Sequence, residues 1–295
     1  MLILISDAFD SSLPDKLKTF GEVTTDTERL SEADVVLVRS KTKCTREYID
    51  SAPKLKLIIR GGVGIDNIDK EYAESKGIQV RNTPKSPAIA VAELAFALML
   101  SIPNHIVAGH NSMQKGEWLK KKLKRTELYG KTLCLVGIGN IATEVAKRAA
   151  AFGMKVVAYD KFVSESEWAE MKPSLKEAVK DADYISLHLP LNQSTERLIN
   201  ADLFSAFNKK PVIINTGRGP TVDVHDIKAA LESGIVSFFA TDVWPSDPPA
   251  SDDPILNAPN TLTTPHIGAS TVENLLRIGD EAYSIIKEAV DGGII

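Results

Sequence analysis

Cysteine is scarce: the 295 residues hold two, Cys44 and Cys134, far apart in the chain. That excludes a disulfide framework and a zinc-ligand cluster, and it fits a reducing cytoplasm. Positive charge is not in excess either. The net charge is −4 and the pI is near 5.8. The concentrated cationic face that a phosphate backbone demands is missing, so nucleic acid is not expected as the main partner. Long hydrophobic runs are also lacking. The most apolar stretch, Pro87 to Ile102, contains Glu93 and falls short of the ~20 residues a membrane span needs. It predicts a core helix, capped by Ser86 with Pro87 at its first position. The N-terminus, MLILISDAFD, has neither the basic start nor the long apolar core of a signal peptide. No membrane partner is expected. No internal repeat and no low-complexity linker stand out.

What the chain does have is apolar content, 43% of its residues, enough for the cores of two ordinary domains. Short apolar runs alternate with helical patterns. LILI (2–5), VVLV (35–38), LIIR (57–60) and IQV (78–80) read as strands. A second series follows with TLCLV (132–136), KVVAY (155–159), YISL (184–187), VII (212–214) and SFFAT (237–241). Such alternation predicts parallel sheets with crossover helices, an α/β fold. The expected division is 1–99 with a returning last helix (268–295) against 100–267. A run of cations, KGEWLKKKLKR (115–125), reads as a solvated arm anchored by Trp118, Leu119 and Leu123. The competing reading is a grip on an anionic substrate.

The sharpest local signal is CLVGIGNIATEVAKR. Gly137-Ile138-Gly139-Asn140-Ile141-Ala142 sits between a predicted strand and a predicted helix. Gly137 permits the tight turn, and Gly139 lets a pyrophosphate approach the backbone at the helix N-terminus. Ala142 stands where a third glycine is usual and only close helix packing is needed. In that helix Ile141, Val145 and Ala149 recur at intervals of four, with Ala142 and Ala146 on the same face, and Gly153 supplies the stop. Asp160 ends the next strand, 21 residues past Gly139. There a carboxylate accepts ribose hydroxyls and repels a 2′-phosphate, which favours NAD over NADP.

With these in place the chain resembles the D-isomer-specific 2-hydroxyacid dehydrogenases over nearly its whole length. The resemblance is carried by RGGVGIDNIDKEYAESKGIQVRNTP (60–84), VAELAFALML (91–100), the glycine loop, NTGRG (215–219), TDVWPSDPP (241–249) and TPHIGAST (264–271), all in the family's order. The closing IGAST is typical of the branch that oxidises phosphoglycerate. The resemblance implies a Rossmann-type NAD-binding domain inserted into a smaller, flavodoxin-like substrate domain, the two closing over a cleft, and a homodimer.

It also implies roles for particular side chains. Arg218, flanked by Gly217 and Gly219, matches the arginine that binds the carboxylate of a 2-oxo acid. The two glycines are expected to thin the backbone so that substrate and nicotinamide both approach. His266, of the five histidines the one in a Pro-His-Ile-Gly setting, matches the acid/base. Asp247 occupies the position where the family carries a glutamate that orients the histidine. The aspartate is one methylene shorter, and the adjacent Asp252 and Asp253 are expected to mark an exposed turn. Thr216, Asp242 and Gly268 match cofactor contacts, and His188 is expected to have a structural or cofactor-edge role. Arg39, Lys41 and Arg60, in RSKTK and RGGVG, suit the phosphate of a phosphorylated substrate. The N–H groups of Gly62, Val63 and Gly64 suit its carboxylate. The activity implied is NAD-dependent oxidation of a D-2-hydroxy acid, 3-phosphoglycerate to 3-phosphohydroxypyruvate, which feeds serine synthesis. The alternatives are a glyoxylate or hydroxypyruvate reductase and, in a different class, a dinucleotide-sensing protein akin to corepressors.

Overall fold

The computed structural model describes all 295 residues, and the chain divides into two compact units. Met1–Ala90 and Ala269–Ile295 form one; Val91–Gly268 forms the other.

The first unit is a five-stranded parallel sheet. Its strands are β1 (Leu2–Ile5), β2 (Glu22–Thr24), β3 (Val35–Val38), β4 (Leu57–Arg60) and β5 (Gln79–Asn82), in the order β2-β1-β3-β4-β5. This is the flavodoxin-like doubly wound order. Its three central strands read as unbroken apolar runs because both faces are covered. Ile3, Val35, Leu37, Leu57 and Ile59 face one way, toward Leu13, Leu17, Ala282 and Ile286. Leu4, Val36, Val38 and Ile58 face the other, toward Cys44, Ile49 and Ala73. The last helix, Val272–Asp291, is capped by the Thr271 hydroxyl, which accepts from the amide of Asn274. Its buried Ile278, Ala282 and Ile286, four residues apart, lie along one face.

The second unit is a seven-stranded parallel sheet, β6 (Thr132–Val136), β7 (Lys155–Tyr159), β8 (Glu170–Met171), β9 (Tyr184–Leu187), β10 (Val212–Asn215), β11 (Phe238–Thr241) and β12 (Thr261–Thr263). The order β12-β11-β10-β9-β6-β7-β8 is the Rossmann order extended by one strand. The winding reverses between β6 and β9, so the carboxyl ends of these two strands frame the crevice where open α/β sheets take ligands.

Three short strands escape the sequence pattern. β2, β8 and β12 lie at or next to sheet edges and contain Glu22, Glu170, Thr261 and Thr263, too few and too polar for alternation to register. The apolar helix Ala88–Ser101 also differs from expectation, since most of it belongs to the second unit. Ala92, Ala95, Phe96, Leu98 and Met99 pack with Leu133, Leu135 and Val145. Ser86 does not cap it; the Ser86 hydroxyl is hydrogen-bonded to Glu281 of the last helix. Trp118 is 75% exposed and does not anchor the basic arm. Both thiols are buried, and desolvation pushes their pKa values up to about 12. No single helix is long and apolar enough to cross a membrane.

Candidate active site

The glycine loop lies at the winding reversal. Gly137 follows β6 with φ +91°, a conformation that penalises any side chain. A Cβ there would also stand 2.7 Å from the carbonyl oxygen of His188, at the end of β9. The next helix, Asn140–Ala151, starts with Gly139 as its cap and has no capping side chain. Elsewhere Thr45, Asp69, Ser174, Asn200, Asp223 and Thr271 fill that role. Space above Gly139 is open, with nothing within 4 Å of a built Cβ. An uncapped helix start with a bare approach suits an anionic group such as a pyrophosphate. Ala142 is fully buried, consistent with its packing role, and Ile141 is half-buried.

Two buried polar atoms at the same end of the sheet support that fit. Thr216 Oγ1, just past β10, and His188 Nδ1, just past β9, have no hydrogen-bond partner in the protein. Unpaired buried groups are costly, and a polar ligand satisfies them. His188 Nε2 is paired with Ser186 Oγ at 2.9 Å, and desolvation pulls the imidazole pKa down to about 4.

Asp160 follows β7. One carboxylate oxygen accepts from the amide of Ile138 at 3.0 Å; the other accepts from Phe162 at 2.8 Å and Val163 at 3.1 Å. Three of its roughly four acceptor positions are used by these amides. Beside it Tyr159 to Ser164 and Met171 to Pro173 line a cavity of about 440 Å³, a size that accommodates a small organic group.

Arg218 stands just past β10. Its main chain is fixed by Asn215 Nδ2 and Thr221 Oγ1, which donate to its carbonyl at 3.0 and 2.6 Å. Its Nη1 donates to the Gly217 carbonyl at 2.7 Å. The flanking glycines serve the protein's own packing. A Cβ on Gly219 would meet the Trp244 carbonyl carbon at 2.2 Å, and one on Gly217 the carbonyl oxygens of Leu187 and Leu189 at 3.2 Å.

His266 lies in the loop after β12 with φ +55°, in the left-handed region that few non-glycine residues adopt. Asp242, past β11 and 2% exposed, holds this loop. One of its oxygens accepts from Thr264 Oγ1 at 2.6 Å and the Ile267 amide at 2.8 Å; the other accepts from the Gly268 amide at 2.8 Å. Trp244 Nε1 donates to the Thr264 carbonyl at 3.1 Å. Asp242 and Gly268, assigned to the cofactor from sequence, are hydrogen-bonded to each other. His266 Nδ1 is hydrogen-bonded to Asp247, so the shorter carboxylate does reach the ring. The carboxylate can only accept, so Nδ1 carries the proton and Nε2 is left for chemistry. The Asp247–Pro248 peptide is cis. Asp253, expected in an exposed turn, is buried and caps Pro254–Asn257 through the amide of Ile255. His225 is exposed at a helix start, and His105 begins the separate helix Ile106–Gln114 that contains His110.

In the first unit Arg39 is half-buried. Its guanidinium donates to the main-chain carbonyls of Ala8 and Ala269 at 3.3 and 3.5 Å, and desolvation lowers its pKa. Neither Arg39 nor exposed Lys41 forms a close ion pair, although the nearby Asp7 carboxylate favours the charged Arg39 through space. The Arg60 guanidinium lies over Gly62, its Nη1 1.5 Å from a built Cβ, and donates to the Gly61 carbonyl at 3.2 Å. The carbonyls of Gly62 and Val63 are held by the Thr83 amide and Asn82 Nδ2, leaving the turn Gly62–Gly64 fixed. Sequence reading missed Asp7 and Asn67, whose side chains bind the loop 39–43. The signal for Asp7 was an acid two residues past an apolar strand; Asn67 lay unremarked in the 60–84 motif.

Comparison with known proteins fits this geometry. Residues 96–268 match the model of the D-isomer specific 2-hydroxyacid dehydrogenase, NAD binding domain. The chain is 44% identical to a hydroxypyruvate reductase of Thermotoga maritima, over 88% of the chain and 86% of that protein. It is 40% identical to a D-3-phosphoglycerate dehydrogenase of Methanocaldococcus jannaschii, over 98% of the chain but 57% of that protein. Among solved structures, the D-lactate dehydrogenase of Aquifex aeolicus complexed with NAD and lactic acid superposes with a TM-score of 0.87 at 30% identity, covering 99% and 96% of the two chains. The chain belongs to the D-isomer specific 2-hydroxyacid dehydrogenase family, oxidoreductases that use NAD.

Proposed function

We propose that this enzyme interconverts a D-2-hydroxy acid and its 2-oxo acid, with 3-phosphoglycerate and 3-phosphohydroxypyruvate as the leading pair. The observation that carries the chemistry is the His266–Asp247 hydrogen bond on a loop that Asp242 holds. In the oxidation, His266 Nε2 takes the proton of the C2 hydroxyl while the negative Asp247 stabilises the resulting imidazolium. NAD, when bound, accepts the hydride from C2. The Arg218 guanidinium holds the substrate carboxylate through a two-pronged hydrogen bond and polarises the C2 oxygen. In the reverse direction His266 returns the proton to that oxygen.

For the cofactor, the uncapped helix start at Gly139 and Asn140 suits the pyrophosphate, with Ile141 following in the same turn. Asp160 takes a ribose hydroxyl and disfavours a 2′-phosphate. Thr216 and His188 offer their unpaired polar atoms. Asp242 and Gly268 contribute by fixing the His266 loop. The preference for a phosphorylated substrate rests on Arg39 and Lys41, two cations without ion pairs, together with Arg60. The turn Gly62-Val63-Gly64 supplies backbone N–H groups for the carboxylate. A homodimer is the expected assembly and the cytoplasm the expected location.

A second reading, reduction of unphosphorylated hydroxypyruvate or glyoxylate, is favoured by the similarity to the Thermotoga protein, which matches this chain over most of both lengths. Following NADH loss with phosphohydroxypyruvate, hydroxypyruvate and glyoxylate side by side decides between them. The leading reading expects the largest kcat/KM for the phosphorylated substrate. Negligible turnover of all three, with NADH still bound, points instead to a dinucleotide-sensing protein.

A further inference from the structure

The loop 39–43, which follows β3, is gripped from both sides. β1 and β4 are the neighbours of β3 in the sheet, and the segments after them each send one side chain to this loop. From the β1 side, Asp7 accepts from the Arg39 amide at 2.5 Å, the Thr42 amide at 3.1 Å and Thr42 Oγ1 at 2.7 Å. From the β4 side, Asn67 donates through Nδ2 to the Arg39 carbonyl at 2.7 Å and the Thr42 carbonyl at 2.6 Å. The main chain of the same segment adds a bond from the Cys44 amide to the Asn67 carbonyl at 2.8 Å.

This pattern separates the loop's shape from its charge. The Asp7 carboxylate binds main-chain amides and a hydroxyl and makes no ion pair with the Arg39 guanidinium. Asn67 is neutral and supplies both donors to the loop's carbonyls. The loop is therefore held rigid while Arg39 and Lys41 remain available to an anion. Fixing in advance the main chain that carries these two side chains lowers the entropy lost when an anion binds.

We propose that Asn67 is a positioning residue for substrate recognition. It fixes the segment Arg39–Thr42 so that the Arg39 and Lys41 cations meet the phosphate of the substrate. The inference rests on the phosphorylated-substrate reading above. It also makes a claim of its own, because Asn67 touches the loop and not the substrate.

The test compares wild type, Asn67→Ala and Arg39→Ala in the full-length protein, with phosphohydroxypyruvate and hydroxypyruvate as substrates. Asn67→Ala is expected to raise KM for the phosphorylated substrate roughly tenfold. KM for hydroxypyruvate, and kcat on both, are expected to stay within about twofold, since a uniform binding loss appears in KM alone. Thermal unfolding is followed in parallel. If Asn67→Ala does not fold, Asn67→Ser, which keeps one donor, takes its place with the same expected split. Loss of selectivity in Arg39→Ala but not in the Asn67 variant overturns the inference alone. So does an equal rise in both KM values in the Asn67 variant. A wild type that does not prefer the phosphorylated substrate overturns the substrate reading and the inference together.

Discussion

The loop after β3 in the first unit and the loop after β12 in the second are held by the same set of donors. Asp7 accepts two amides and a threonine hydroxyl, from Arg39, Thr42 and Thr42 Oγ1. Asp242 accepts two amides and a threonine hydroxyl, from Ile267, Gly268 and Thr264 Oγ1. The loops differ in what is held. The second contains His266 in a left-handed conformation, which costs on the order of 1–3 kcal/mol and persists only where its surroundings impose it. Its aspartate is almost fully buried, where the bonds are strongest. The first carries ordinary backbone and two cations, and its aspartate is partly exposed. The comparison teaches that one carboxylate device serves two ends. On the proposed roles, where a reacting group is to be aimed the acid is buried and the backbone strained. Where charge must only be presented, a looser hold with an added amide suffices.

If that division is right, lesions in the second loop act on kcat and lesions in the first on KM. The largest effect is expected at His266 itself. His266→Asn should lower kcat about 10²–10⁴-fold with little change in NADH binding, read by steady-state kinetics and a fluorescence titration. Next comes Asp242→Asn, which puts an NH2 against the donors of the His266 loop. It should lower kcat roughly 10- to 100-fold while substrate KM stays within about threefold. A fall in affinity for NADH without loss of kcat would instead assign Asp242 to the cofactor.

A matched pair sharpens the comparison further. Thr264→Val and Thr42→Val each remove one hydroxyl from an aspartate, at 2.6 and 2.7 Å respectively. The first should lower kcat about 3- to 10-fold. The second should raise KM for phosphohydroxypyruvate by a similar factor and leave kcat alone. Matching patterns from both would erase the distinction between the loops.

The smallest effect concerns pH and stability. His188 has its folded pKa pulled down to about 4 by desolvation, whereas the unfolded chain takes up a proton near 6.5. Between those values the unfolded state binds more protons, so stability is present above about pH 6.5 and is lost as pH falls toward 4. The loss amounts to at most about 3 kcal/mol. Chemical unfolding at pH 7.5 and 4.5 should show a smaller acid loss in His188→Asn than in the wild type.

Much of this was legible in sequence. The central strands show because both faces of a parallel sheet are covered, leaving unbroken apolar runs such as VVLV and TLCLV. Gly137 and Asp160 show because a tight turn and an acid at the end of the next strand are expected as those residue types at fixed separation. Arg218, Asp247 and His266 were picked out by family motifs, and local spacing alone does not single them out. β2 and β12 stayed hidden because three-residue polar strands carry no periodicity. The end of the first unit was misplaced because an evenly apolar helix does not reveal which of two cores it enters.

The sequence by itself determined the two parallel sheets and the glycine turn, because these depend on residue type and on spacing within a few turns of chain, and its family motifs pointed to the candidate chemistry. Only the tertiary structure decided that Asp247 reaches His266, that Asp242 holds the loop from 22 to 26 residues away, and that Asp7 and Asn67 hold a shared segment. Those bonds join the ends of neighbouring strands. In a parallel sheet such neighbours are separated by a crossover, so no local pattern in the chain records them.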